Sequence, residues 1–475
     1  MQLLVRYCWW LIALFAAVAL LYNALMPIHY DEAYYWLWSQ NLAWGYFDHP
    51  PMVAYVIWLT TWFSDQVFWL RLGAVLCNLV ALWFFYLLVR GLYNNSNIAR
   101  LATLLLAALP LLHINATAIT PDAPLAAFWS IGLFAGWRAL AHNHPGYWYL
   151  TGLAIGCMVA SKLIAAFFIL PFCLYLLCYK RSLVAHRHVW LAGLLSLLPA
   201  LGMLYWNSHN NWLNFAYQFT HATAENDFPN PGAFAAHLGG YILIVTPVLL
   251  GVSLWGLYRR WQQRHLFAAG EGFLLLFTTI IFAFFVYKST QSHILLNWNS
   301  PIVFSLLPLA ARDLYTSAKP RLVWACILTA LLLVLLVRIP WLIGINYSPL
   351  RHTFALEQGI RTFASTLQPG EVLCSDYHTT AATLRYYLGH QHPVVVRFAT
   401  RPSQYDLWSD PQPAFCQALV YRNSIRDYHR RDCAAIEQHQ SFTVAVSDSY
   451  QPAFQTFYCD LTPWNERHQQ AQEEL

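Results

Sequence analysis

Long apolar runs dominate the first 345 residues, and no other feature constrains the fold as strongly. Eleven runs read as spanning candidates: 8–28, 66–89, 101–119, 121–139, 147–161, 163–179, 188–206, 236–258, 270–287, 294–311 and 321–345. A helix needs about 20 apolar residues to cross a bilayer. Several runs are shorter, so the expected number is about eleven, within a range of 11–13. Charged residues are only 10% of the 475, against ~25% in a soluble domain. So few charges cannot cover a soluble globule of this size. Aromatic residues make up 17%, which excludes disorder. The net charge of +5 is small and scattered, so nucleic acid is not an expected partner. The chain reads as a polytopic α-helical membrane protein. No small-x-small cleavage site follows the run at 8–28, so it reads as a retained helix and not a signal peptide.

The charges give an orientation. With the N-terminus in the cytoplasm, thirteen Lys and Arg of the membrane part fall on the cytoplasmic side. Only Arg71, Lys162, Lys288 and Arg338 fall on the other, as the positive-inside rule requires. Acids run the opposite way: Asp31, Glu32, Asp48, Asp65, Asp122, Glu225 and Asp227 are outer, Glu271 and Asp313 cytoplasmic. The longer loops, 28–65 and 207–235, are also outer, so the chemistry is expected there.

Beyond residue 346 the composition shifts, and thirteen of the 22 acids lie there. Strand-like runs occur at Glu371–Ser375, Pro393–Phe398, Gln417–Tyr421 and Phe442–Val446, with a helical pattern over Thr379–Leu388. The expected organisation is a membrane domain over 1–345 and a small outer α/β domain over 346–475. Six cysteines fall in apolar helices and read as packing residues. Cys374, Cys416, Cys433 and Cys459 fall in the outer domain and can form one or two disulfides in an oxidising space. The favoured pairing is Cys416–Cys433.

Several outer residues carry possible chemistry. Asp31 and Glu32 sit where the first helix leaves the bilayer; charge near hydrocarbon is costly and points to function. The plainer reading is a solvated loop with Asp31 capping a helix. Asp48-His49-Pro50-Pro51 precedes an apolar run, Met52–Phe63, too short to span. That run suits a helix in the interface, with Trp58 and Trp62 at headgroup level. Asp122 opens a helix within Thr120-Pro121-Asp122-Ala123-Pro124, where it complements the dipole and adds a carboxylate at the level of Asp31. Lys162 and Lys288 lie at outer helix ends against the charge bias. Snorkelling explains them simply; the functional alternative is a site for an anionic group such as a lipid phosphate, which Arg71 and Arg338 can join. His221 and Glu225 lie in the later outer loop, read as a polar connector in preference to a lid.

Carboxylates and cations at one membrane face fit a transfer reaction on a lipid phosphate. A carboxylate deprotonates an acceptor hydroxyl, and cations or a metal stabilise the leaving phosphate. Mg²⁺ or Mn²⁺, and less readily Zn²⁺, suits a donor set of Asp31, Asp48, His49 and Asp122. No nucleotide-binding fingerprint is present.

At these residues the sequence resembles the GT-C class of membrane glycosyltransferases. The nearest branch is the bacterial relatives of dolichyl-phosphate-mannose protein mannosyltransferases and of the lipid A aminoarabinose transferase. The resemblance rests on Asp31-Glu32, Tyr46-Phe47-Asp48-His49-Pro50-Pro51, Thr120–Pro124, Ser161-Lys162 with Pro171, and Lys288 with His293, Trp298 and Pro301, in order over residues 1–310. Ser375-Asp376-Tyr377 and Ser403–Trp408 are similar to stretches of bacterial members. The resemblance implies a sugar donor on polyprenyl phosphate, undecaprenyl phosphate in a bacterium, and inverting transfer at the periplasmic face of the inner membrane. It implies that Asp31 is the catalytic aspartate with Glu32 beside it, that Lys162 contacts phosphate, and that Asp122 is a second acid near donor or acceptor. His49 stands where aminoarabinose transferases have lysine, and binds phosphate only if protonated. The acceptor class is lipid A, another glycan or a protein. Two rivals remain: a lipid-linked sugar transporter or flippase, which would favour midplane charges and internal repeats, and an oligosaccharide ligase or polymerase.

Overall fold

The computed structural model describes residues 1–223, 229–262, 269–295, 297–342, 351–389, 391–396, 402–408, 413–421, 433–445, 451–462 and 465. Two compact units result. One comprises Met1–Leu25 and Leu42–Leu336; the other comprises Met26–Asn41 and Val337–Leu475. The stretch 28–65, one outer loop by its sequence, is thus shared between them.

The first unit is helical. Among the described residues four helices are long and apolar enough to cross a membrane: Cys8–Leu25, Val67–Tyr93, Arg187–His209 and Gly270–Ser289. The pair Pro231–Val245 and Pro247–Gln262 makes a fifth if taken as one bent span. The remaining expected spans are mostly helices too, but shorter or less apolar. Leu191, Leu194, Leu198 and Leu201 of the Arg187–His209 helix are exposed. Such a face is favourable against lipid and costly against water. The protein is a multi-pass helical membrane protein.

Three expected spans are interrupted, each for a local reason. The run 101–119 splits into Ser96–Ala108 and Pro110–Asn115, because Pro110 starts a new helix. The run 236–258 bends by 101° at Thr246, whose φ is +72°. Pro247 cannot donate the hydrogen bond that would continue the first helix. The run 294–311 is helical only from Ile302, after Pro301. Close approach elsewhere depends on small residues. A Cβ on Gly152 would strike the carbonyl of Ala192, and one on Gly156 would lie 2.7 Å from that of Ser196. This small-xxx-small face lets Pro145–Ser161 pack directly on the Arg187–His209 backbone.

The second unit joins the Tyr30–Gln40 helix to the C-terminal residues. Its helices Arg351–Ala364 and His378–Leu388 accompany a five-stranded sheet of order β2-β1-β3-β5-β4. The strands are β1 Leu373–Ser375, β2 Val394–Val396, β3 Phe415–Tyr421, β4 Ile436–Thr443 and β5 Ala453–Asp460. β1 runs parallel to β2 and β3, while β5 is antiparallel to β3 and β4. The Tyr30–Gln40 helix is anchored by rings: Tyr34 meets His378 at 4.7 Å and Trp36 meets Tyr386 at 5.1 Å between centroids. Tyr34 Oη also accepts from the Gln404 N–H at 2.8 Å.

The disulfides are Cys374–Cys416 and Cys433–Cys459, not Cys416–Cys433. Strand order decides this. β1 and β3 are neighbours that bring Cys374 beside Cys416, while Cys459 on β5 pairs with Ile436 at the start of β4, just beyond Cys433.

Candidate functional site

The first unit contains a buried charge cluster built from three distant segments. Asp122 lies in the first turn of Asp122–His142, with its side chain 4% exposed. Its Oδ1 accepts from Lys162 Nζ at 2.8 Å, and its Oδ2 from Asn297 Nδ2 at 2.7 Å. Lys162 sits at a break between the Pro145–Ser161 helix and the 3-10 turn Leu163–Ala165, in extended backbone. A lysine at that helix C-terminus is favoured by the dipole, as is Asp122 at its own N-terminus. The ammonium has three N–H donors, and Asp122 occupies one of them. Asn297 stands among the residues of the Lys288–Pro301 motif, but its carboxylate-holding role had no sequence signal.

Asp48 is buried and His49 half-buried at the head of the Met52–Thr60 helix. Asn214 Nδ2 donates to the carbonyls of Tyr46 and Phe47, at 2.9 and 3.0 Å. Gln218 Nε2 donates to the Asp48 carbonyl and lies 3.5 Å from His49 Nδ1. Arg71 is buried in Val67–Tyr93 and donates to the Asn23 carbonyl at 3.2 Å. Lys288 is half-buried at the end of Ala269–Ser289 and donates to Gln291 Oε1 at 3.3 Å. His293 is exposed, and Trp298 packs half-buried against the helical core. Glu225 lies outside the described residues, as does the side chain of His221.

In the second unit, Asp31 and Glu32 open the Tyr30–Gln40 helix with different roles. His29, not Asp31, is the N-cap: its Nδ1 accepts from the Asp31 N–H at 3.3 Å. Glu32 completes the capping box by accepting from the His29 N–H at 2.9 Å, and it is fully buried. The Asp31 side chain keeps 42% exposure and lies 3.7 Å from His29 Nδ1. Burial, followed by the nearby charges of Asp31 and Tyr377, pushes the Tyr30 phenol above its usual range.

Among the described residues, no three His, Cys, Asp or Glu side chains gather as a metal-binding group.

The sequence and fold have recognisable relatives. The family model of dolichyl-phosphate-mannose-protein mannosyltransferase matches residues 48–206, which include Asp48, His49, Arg71, Asp122 and Lys162. The lipid A galacturonosyltransferase RgtD of Rhizobium johnstonii is 28% identical over 240 residues, 49% of this chain and 50% of that protein. An undecaprenyl phosphate-alpha-4-amino-4-deoxy-L-arabinose arabinosyl transferase of Pseudomonas fluorescens is 27% identical over 132 residues, 27% of this chain and 23% of that protein. The chain thus spans half or less of the length of the curated relatives it matches. The crystal structure of ArnT from Cupriavidus metallidurans bound to undecaprenyl phosphate superposes with a TM-score of 0.62 at 17% identity, covering 94% of this chain and 97% of that one. Its apo form gives 0.61. Part of the chain is therefore similar in sequence to mannosyltransferases and to lipid A-modifying transferases, and the chain shares the fold of ArnT.

Proposed function

We propose that this chain is an inverting glycosyltransferase. It moves one monosaccharide from a polyprenyl-phosphate donor to a hydroxyl of lipid A, another glycan or a protein. The observation that carries this reading is the Lys162–Asp122–Asn297 cluster: an ammonium 11% exposed at a helix break, held by a buried carboxylate that an amide holds in turn. Only one of the three ammonium donors goes to Asp122, which leaves capacity to take an anionic oxygen. The likeness to lipid A-modifying transferases supports the same reading.

In this mechanism Asp31 takes the proton of the acceptor hydroxyl. The acceptor oxygen attacks the anomeric carbon, the bond from that carbon to the phosphate oxygen breaks, and polyprenyl phosphate leaves with the electron pair. Lys162 and Lys288, with Arg71 and a protonated His49, balance the phosphate charge. Glu32 holds the helix start that carries Asp31, and Asp122 aims Lys162. The reading includes a membrane domain of about eleven spans over 1–345 and an α/β domain over 346–475, with transfer at the periplasmic face of a bacterial inner membrane. The two disulfides favour an oxidising location for that domain.

The test is transfer in proteoliposomes with a panel of undecaprenyl-phosphate sugars. Donor consumption by the wild type and its loss in Asp31→Asn are expected, with EDTA lanes deciding the need for a divalent ion. An active Asp31→Asn variant would remove the base assignment. Labelled lipid crossing the bilayer with no sugar consumed would replace the enzyme by a transporter.

A further inference from the structure

The loop that carries Asp48 and His49 is held from two sides. On one, its own elements brace it: Tyr46 Oη accepts from the Ala43 N–H at 3.0 Å, and Tyr55 Oη donates to the Ala43 carbonyl at 2.8 Å. On the other, the hold comes from a segment more than 160 residues later. The Arg187–His209 helix ends in a turn with Asn211 and Trp212 at φ +50° and +58°. Two consecutive left-handed residues reverse the chain sharply. Asn207 secures the turn, its carbonyl accepting from the Trp212 N–H at 2.8 Å and its Oδ1 from the Phe215 N–H at 3.3 Å. The Leu213–Thr223 helix that follows presents Asn214, Tyr217 and Gln218, spaced to share one face. Asn214 and Gln218 donate to three successive carbonyls, those of Tyr46, Phe47 and Asp48. Tyr217 packs on Phe47 at 5.1 Å between ring centroids. Nearby, Trp206 covers Gly45 and Trp44 covers Gly202, where an added Cβ would lie within 2.8 and 2.5 Å.

Three parallel amide-to-carbonyl contacts in one place fix the path of a backbone, not merely its burial. We propose that the Leu213–Thr223 helix is a clamp, and that Asn214 and Gln218 are positioning residues that set the Asp48-His49 pair for the donor phosphate. This rests on the reading of the protein as a polyprenyl-phosphate glycosyltransferase. Neither residue touches the reacting atoms in this account; each acts through the loop.

Asn214→Asp keeps the shape but replaces both N–H donors by an acceptor facing two carbonyls. Gln218→Glu does the same at Asp48. Each lost hydrogen bond is worth up to about tenfold in affinity. The measurements are binding of undecaprenyl phosphate to the purified full-length protein, kcat and KM for the accepted undecaprenyl-phosphate sugar, and the thermal transition. The expected result is roughly tenfold weaker undecaprenyl phosphate binding and a matching rise in KM, with kcat changed less. Asn214→Ser retains one donor and should fall between; it also serves if Asn214→Asp does not fold. In an Asp48→Asn/His49→Ala background the clamp variants should add little further loss, because coupled residues are not additive. Wild-type binding in Asn214→Asp and Gln218→Glu, or losses that add fully in that background, would overturn the clamp. A wild-type protein that neither binds undecaprenyl phosphate nor uses its sugars would instead overturn the functional reading.

Discussion

Two buried charge clusters occupy opposite ends of the Ala269–Ser289 and Ile302–Thr316 helices, and they are built differently. One contains Lys162, Asp122 and Asn297, the last lying between those two helices. The other contains Arg260, Glu271, Asp313 and Arg312. Arg260 donates to Asp313 through both terminal nitrogens, at 2.5 and 2.9 Å, and to Glu271 at 3.1 Å. Arg312 donates to the same Glu271 oxygen and lies over the Tyr93 ring at 5.6 Å. Two cations thus meet two anions, and the guanidinium fork matches a carboxylate edge to edge. A Cβ on Gly256 would collide with Asp313, so even the backbone is shaped around the pair. The Lys162 cluster is a point charge with one anion and one neutral amide, set at a helix break. The Arg260 cluster fastens three helices to one another; the Lys162 cluster holds an ammonium in place with donor capacity remaining. Burial of charge alone therefore does not identify a site. What separates the two is how many of the cation's donors the protein itself consumes.

Breaking the larger network should have the largest effect. Arg260→Ala leaves Glu271 and Asp313 facing each other's charge with one exposed arginine remaining, and should cost about 3–5 kcal/mol, read as a large drop in the thermal transition in detergent. Full stability with lost transfer would mean that this cluster, too, is functional. Next, Lys162→Met alone strands the buried Asp122 carboxylate and should lower both stability and transfer. Transfer should fall about 10²–10³-fold, as for loss of one preorganised stabilising donor. Lys162→Arg keeps the charge, but its fork can bind Asp122 bidentately, so activity should fall by about tenfold while stability holds. Gly256→Ala should cost roughly 1–3 kcal/mol through overpacking and leave the kinetics of the folded fraction unchanged. The smallest effect concerns the second unit. Non-reducing peptide mapping should recover Cys374–Cys416 and Cys433–Cys459, and a Cys416–Cys433 peptide would contradict the strand order.

The sequence made single residues legible better than their partnerships. Lys162 stood out because it broke the charge bias, and Asp122 because it opened a helix. That they pair across 40 positions is a tertiary fact with no local trace. Arg260, Glu271, Arg312 and Asp313 entered only as a charge census, since their alignment depends on three helices packing. Asn214 and Gln218 are uncharged residues inside a helix, and nothing in composition distinguishes them. Asp31 looked like a cap because aspartate is a common one; His29 took that place with an imidazole nitrogen. The strands at β1, β2 and β3 and the helix at His378–Leu388 followed from short apolar runs. β5 was missed because Gln455 and Thr456 interrupt its alternation, although Thr456 is buried. Of the sequence run at Phe442–Val446, Phe442 and Thr443 close β4, whose earlier residues Glu437, Gln438 and Gln440 are polar, while Val446 lies outside the described residues.

The central claim is that the Lys162 cluster exists to hold a phosphate and not to hold the fold. The double variant Asp122→Asn/Lys162→Met removes the charge pair without stranding either partner. Its thermal transition and its binding of undecaprenyl phosphate should be measured together, against the wild type. The account predicts a transition close to wild type with binding reduced at least tenfold. Wild-type binding in a stably folded double variant would contradict it.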